Sequence, residues 1–234
     1  MRVSGLVKNS FLDFPGLIAA VVFVPGCNMD CWYCHNKHLW KSGAEIGEGE
    51  LEDFFDSHKS FLDGVVISGG EPTLQPGLSG FIRGLKSKGY RIKLDTNGTN
   101  PAVVKKLLPL LDYAALDLKA PPGELSRVVS WDMDDSPVWE TAEILMGSGI
   151  EYEFRTTMMP LLDALDIEAI AKRVKGAKRY ALQQYRKAES EKTGAPKSKA
   201  VWGVLQPEPL KADLIKKAAE AAQKYVGEMI IRGL

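Results

Sequence analysis

Apolar patterns of strand type and helix type alternate through almost the whole chain, and this alternation limits the fold more than any other feature of the sequence. Ile18–Val24 is an apolar, β-branched run ending at Pro25-Gly26 and reads as a buried strand. Glu48–Leu62 sets Leu51, Phe54, Phe55 and Leu62 on one helical stripe. The pattern then repeats. Val65–Ile67, Arg91–Asp95, Tyr113–Leu118, Glu151–Met158 and Arg179–Tyr185 read as strands. Between them a helix marked by Leu78, Phe81, Ile82 and Leu85 stops near Gly89, and Pro101–Leu108 and Ile167–Val174 are helical. Ser136-Pro137 starts a further helix, with Ser as its cap, that runs to about Gly147. Six strand–helix units predict a parallel sheet covered by helices. Right-handed crossovers curl such a sheet toward a barrel. A closed eight-unit barrel takes about 250 residues, so six units predict a partial, laterally open (β/α)6 barrel. A helix over Lys211–Tyr225 and a short strand, Glu228–Arg232, follow it.

The chain has 234 residues, of which 45% are hydrophobic, enough for one sizeable core. The expected organisation is a single domain over 1–234, with a core at 16–186 and a C-terminal extension at 187–234. Lys plus Arg and Asp plus Glu number 30 each, so the formal net charge is zero and no nucleic-acid footprint is expected. The basic run Arg186, Lys187, Lys192, Lys197 and Lys199 is interleaved with Glu189 and Glu191 and reads as a solvated surface loop. The N-terminus lacks the apolar core and cleavage site of a secretory signal, and no apolar run approaches a membrane span. Unpaired cysteines suit a reducing compartment. Together these predict a cytoplasmic protein with no membrane partner.

All three cysteines, Cys27, Cys31 and Cys34, fall in one run directly after the first strand. An odd count in one loop makes a poor disulfide framework. Three thiolates there can serve one metal centre and leave a coordination position open, the mark of a catalytic rather than a closed site. A [4Fe–4S] cube normally takes four thiolates. Zinc is the rival, with His35 or His38 as a fourth ligand. The loop alone leaves both readings standing.

Functional groups in parallel α/β barrels gather at the C-terminal ends of strands, and polar residues fall at those ends here. They are Gly69-Gly70-Glu71-Pro72, Asp95-Thr96-Asn97-Gly98, Asp117-Leu118-Lys119, Arg155, and Gln183-Gln184, of which only one Gln can face the interior. Singly each has a plain explanation as a turn, a cap or a rim charge. Five such coincidences on one rim, with the cysteine loop as a sixth, do not.

With the C-x3-C-x2-C spacing, Tyr33 before Cys34, and Gly69–Pro72, the chain resembles the radical S-adenosylmethionine (SAM) enzymes. Asp13-Phe14-Pro15-Gly16, Tyr33–Asn36, Asp95–Gly98 and Leu116–Lys119 resemble in particular the activases of glycyl-radical enzymes, most closely those of anaerobic ribonucleotide reductase, with pyruvate formate-lyase activases a near second. The resemblance implies a [4Fe–4S] cluster on Cys27, Cys31 and Cys34, and S-adenosylmethionine cleaved reductively to a 5′-deoxyadenosyl radical. It implies a glycyl-radical enzyme as partner and a low-potential electron donor such as flavodoxin or ferredoxin. It also implies roles for individual residues. Gly69 and Gly70 approach the methionine amine, and Glu71 orients that loop. Trp32 and Tyr33 border the adenine. Thr96, Asn97, Asp117, Lys119 and Arg155 serve the cofactor's carboxylate or ribose, and Asp95, Thr96 and Asp117 offer oxygens to a monovalent cation. The three histidines have no required role: His35 and His38 shape the loop, and His58 sits on a helix surface. Two other readings remain: a small-molecule radical enzyme such as 7-carboxy-7-deazaguanine synthase, and a non-catalytic iron–sulfur or zinc protein.

Overall fold

A computed structural model describes residues 1–37, 45–187 and 207–234. His38 and the charged stretch from residue 188 to 206 lie outside them. The described chain forms one sheet of eight strands in sequence order: β1 (Gly5–Ser10), β2 (Ala19–Val24), β3 (Gly64–Gly69), β4 (Arg91–Thr96), β5 (Tyr113–Asp117), β6 (Glu151–Met158), β7 (Arg179–Gln184) and β8 (Glu228–Arg232). β2 to β8 are parallel neighbours, and β1 runs antiparallel to β2. The helices that make the crossovers are α1 (Glu48–Ser57), α2 (Leu78–Ser87), α3 (Pro101–Leu107), α4 (Ser136–Met146), α5 (Ala164–Arg173) and α6 (Ala212–Gln223). The order is linear, β1 and β8 are its two edges, and the sheet is open as expected.

Each strand alternates faces, and the two faces differ in chemistry. Outward residues of β2 to β4, including Val22, Ile67 and Leu94, pack on Leu51 and Phe55 of α1 and Ile82 and Leu85 of α2. Outward residues of β5 to β7, including Leu116, Phe154 and Leu182, pack on Leu145, Ile170 and Ala218 of α4, α5 and α6. Full burial of one such aliphatic or aromatic side chain contributes about 1.5–3 kcal/mol. Inward residues are small or aromatic at the base, where Phe14, Ala19, Val21, Val66 and Tyr113 cluster. Further along they are charged: Lys93, Asp95, Glu153 and Arg155. Glu153, 1% exposed, takes both terminal nitrogens of Arg232 at 3.0 and 2.6 Å, which ties β8 to β6 across the interior.

Three elements differ from expectation. β1 has no counterpart in the sequence reading, because it is an edge strand with Val7, Lys8 and Asn9 exposed and so lacks apolar alternation. Ser136 is not a cap but the first residue of α4. Asp135 precedes it, and the Asp134 carboxylate accepts from the Ser136 N–H at 2.9 Å and its hydroxyl at 2.7 Å. α1 ends at Ser57 rather than Leu62, with His58 at its C-cap donating its backbone N–H to Phe54 O. The C-terminal helix and strand continue the sheet, with β8 the parallel neighbour of β7.

Candidate active site

The C-terminal ends of the parallel strands surround a cavity of about 930 Å3, and all three cysteines line it. The cysteine loop leaves β2 through Gly26, whose φ of 75° suits glycine. Cys31 is 5% exposed; Cys27 and Cys34 are partly buried. The Met29 N–H points at the Cys27 sulfur at 3.4 Å and the Asn97 amide at 3.7 Å. Burial pushes the Cys27 thiol up to about 11, Cys31 up to about 12, and Cys34 upward too. Bare thiolates are therefore unfavourable, although Lys119 lowers all three. A metal centre that deprotonates its thiols outright removes that conflict. Three cysteines lining one roomy cavity, with a nearby ammonium and an amide donor, are a donor set that fits a cluster held by three thiolates. Among the described residues no three His, Cys, Asp or Glu side chains converge on a single ion. His35 lines the cavity, and His38 is not described.

β3 delivers Gly69-Gly70-Glu71 beside that loop. The Gly70 N–H donates to Val24 O and the Glu71 N–H to Gly26 O, each at 2.8 Å. A Cβ on Gly69 (φ 110°) would lie 2.4 Å from Val24 N, and one on Gly70 would lie 1.8 Å from Gly26 O. Close approach of the chain to itself is thus one reason for glycine at both positions, beside the expected approach to a ligand. The chain's own backbone demands them, while their other side lines the cavity. The Asn36 amide, not anticipated from sequence, donates to Gly69 O at 3.3 Å. Glu71 is fully buried and absent from the cavity wall. Its carboxylate accepts from Thr73 N–H and hydroxyl, the Thr96 hydroxyl and the Asn97 N–H at 2.6–3.0 Å. Burial raises its pKa and these donors oppose the rise. It braces the ends of β3 and β4.

An ion network forms the opposite wall. Asp95 accepts from Lys93 at 2.7 Å and from Arg155 at 3.0 Å. Arg155 Nε donates to Asp117 at 2.8 Å, and Lys119 lies 3.3 Å from Asp117 and 6.0 Å over the Tyr33 ring. Burial alone raises an acid's pKa, but Arg155 and Lys119 outweigh it and hold Asp117 at about 2; Asp95 is lowered in the same way by Arg155 and Lys93. Lys93, Arg155 and Lys119 exceed Asp95 and Asp117 by one positive charge, with Lys93 buried behind the lining and the other four groups on it. The three residues expected to offer oxygens to a cation, Asp95, Thr96 and Asp117, all line the cavity, with their oxygens engaged within the protein. The Thr96 hydroxyl is turned to Glu71 and to the Gly98 N–H, and both acids are already ion-paired.

Tyr33 and Asn97 line the cavity, whereas Trp32 does not. Trp32 packs behind, 5.6 Å from the Tyr33 ring and 5.7 Å from Tyr185, with its indole N–H buried and unpartnered. Register places Gln183 beside Thr157 on the inner face. Gln184 also touches the wall, but its amide is bound to Leu210 O at 3.0 Å. Leu12, Asp13, Arg186 and Arg232 complete the open side. Only Asp13 had a sequence signal, as part of the Asp13–Gly16 motif.

The family profile of the radical SAM superfamily matches residues 21–174. A Methanocaldococcus jannaschii protein, provisionally named as a glycyl-radical enzyme activating enzyme, is 35% identical over 98% of this chain and 95% of its own length. The Escherichia coli K12 pyruvate formate-lyase 1-activating enzyme is 30% identical over 68% of each chain. In fold, the chain is similar to Streptococcus suis SuiB bound to S-adenosylmethionine. The TM-score is 0.67 at 12% identity, over 91% of this chain and 52% of that one.

Proposed function

The chain belongs to the radical SAM superfamily, and from that membership we propose that it installs a glycyl radical on a partner enzyme, an anaerobic ribonucleotide reductase. The observation that carries this reading is the single three-cysteine loop in a cavity at the strand ends of an unclosed sheet, whose lining reaches both edge strands and so leaves a side for a polypeptide to enter. Similarity to proteins named as glycyl-radical activases supports the reaction class, and the resemblance at Asp13–Gly16 and Tyr33–Asn36 supports the partner. The enzyme's cofactors are a [4Fe–4S] cluster and S-adenosylmethionine. When bound, the reduced cluster would supply one electron to the sulfonium of S-adenosylmethionine, chemistry that would yield methionine and a 5′-deoxyadenosyl radical able to take hydrogen from the substrate.

The chain's own task is holding and aiming. Cys27, Cys31 and Cys34 hold the cluster. The exposed backbone side of Gly69-Gly70 meets the methionine end, with Glu71 bracing the loop from behind. Arg155 and Lys119 orient the carboxylate, and Tyr33 borders the adenosyl group. A flavodoxin or ferredoxin supplies the low-potential electron, and the setting is the cytoplasm. No helix among the described residues is long and apolar enough to cross a membrane.

The test is anaerobic incubation of reduced protein, S-adenosylmethionine and the reductase, followed by electron paramagnetic resonance. The expected signal is a doublet split by a single α-hydrogen, with one 5′-deoxyadenosine formed per radical. Replacing the partner's radical-bearing glycine by alanine removes the doublet. Turnover of a purine-like metabolite with no doublet on any glycyl-radical enzyme would overturn the proposal.

A further inference from the structure

The segment between β5 and α4 does more than connect them. After Lys119 it forms a single 3-10 turn, Leu125–Arg127, and the next three residues lie antiparallel against the cysteine loop. Cys31 and Val129 are bridge partners, the Trp32 N–H donates to Val128 O at 3.3 Å, and the Ser130 N–H donates to Asp30 O at 3.1 Å. The Ser130 hydroxyl adds a bond to the Asp30 carboxylate at 2.9 Å. Val128 and Val129 are buried in one cluster with Met29 and Cys31. The strap is thus why Cys31 is the most buried of the three cysteines.

The strap has its own anchor. Arg127 meets both oxygens of Asp166 at 2.8 and 2.9 Å, donates to Leu161 O at 2.5 Å, and also contacts Glu124. Asp166 is itself fixed, because it accepts the Asp163 N–H in the capping box of α5. Ordinary surface ion pairs contribute little. This one is bidentate, is joined by a carbonyl, and involves an acid that is 15% exposed, the geometry in which such a pair is expected to hold a conformation. One guanidinium therefore ties the strap to the segment after β6 and to the start of α5.

We infer that Arg127 is a positioning residue that, through the strap at 128–130, fixes Cys31 and the backbone of the cysteine loop before any metal arrives. This rests on the proposed reading of that loop as the cluster site, so the first test uses protein without a cluster. In the metal-free protein, Arg127→Met is expected to speed amide hydrogen exchange at Trp32 and Ser130 by about tenfold. Exchange in the β2–β3 pairs should stay unchanged. In the reconstituted protein, iron loss to a chelator under anaerobic conditions is expected to rise by about tenfold. Arg127→Lys keeps the charge without the fork and should restore part of both effects. Ser130→Ala releases the strap from its other end at an exposed position and should shift both readouts in the same direction, by less. Unchanged Trp32 exchange in Arg127→Met and Ser130→Ala, or acceleration spread evenly over the sheet, would overturn the inference. If exchange responds as expected but no form of the protein takes up iron, the strap's role stands and the cluster reading fails.

Discussion

Arg155 sits between two carboxylates on neighbouring strands, 3.0 Å from Asp95 and 2.8 Å from Asp117. Burial raises the pKa of both acids; the guanidinium, with Lys119 at Asp117 and Lys93 at Asp95, more than reverses that. Asp117 therefore binds a proton less tightly in the folded chain than in the unfolded one, about 2 against an ordinary value near 3.9. A depressed native pKa contributes stability that is complete above the unfolded value and is lost as pH falls through the folded one. Arg155→Met removes the main compensation and leaves the burial. Both acids then rise, and stability should begin to fall at a higher pH than in the wild type. Thermal unfolding of the cofactor-free protein between about pH 7 and about pH 3 checks this. The wild-type midpoint should stay level to about pH 4, while the variant declines earlier. Superimposable profiles would mean that Arg155 does not set these charges.

The junction of β3 with the cysteine loop is a tight backbone contact, sealed by two hydrogen bonds from Gly70 and Glu71 to Val24 and Gly26. A methyl group at residue 70 would meet Gly26 O at 1.8 Å, so the two segments must part. Gly70→Ala is expected to destabilise the cofactor-free protein by about 1–3 kcal/mol, read from urea unfolding, and to impair iron uptake with it. Gly80→Ala is the matched control. It lies inside α2 with nothing within 4 Å of the added Cβ, and should be neutral or stabilising by up to about 1 kcal/mol. Unchanged stability for Gly70→Ala with lost S-adenosylmethionine binding would mean that the methyl group meets the ligand and not the loop.

At the scale of the whole molecule, the cavity is lined by residues beside both edge strands, Leu12 and Asp13 after β1 and Arg232 and Gly233 at the end of β8. A turn at its lip holds Phe11 and Leu12 in solvent, 65% and 89% exposed, and Leu12 also lines the cavity. The turn is fixed by the Ser10 hydroxyl, which donates to Asp13 at 2.6 Å and accepts the Leu12 and Asp13 N–H groups. Exposed apolar side chains held by a fixed turn suit a macromolecular contact. Covering Phe11 is worth about 1.5–3 kcal/mol. Phe11→Ser should therefore raise the partner concentration needed for half-maximal radical yield by about tenfold or more, with the stability of the activase unaltered. A titration of radical yield against partner concentration measures it, and an unchanged curve would place the contact elsewhere.

The sequence by itself determined the periods and the chemistry they carry. Seven strands and six helices were legible because each writes its own apolar spacing into a few neighbouring residues, and the cysteine run needs no folding to be read. The C-terminal ends of β2 to β7 could be named as a rim for the same reason. Only the tertiary structure decided which groups meet. β1 gains its place from pairing with β2, not from a pattern of its own. The side of Gly70 that must be bare, the turn of the Thr96 hydroxyl toward Glu71, the retreat of Trp32 behind Tyr33, and the strap across Cys31 all depend on contacts between distant parts of the chain. A local pattern fixes the face on which a side chain lies. The neighbour it finds there is fixed by the register between strands and the path of the loops, and neither is written in local spacing.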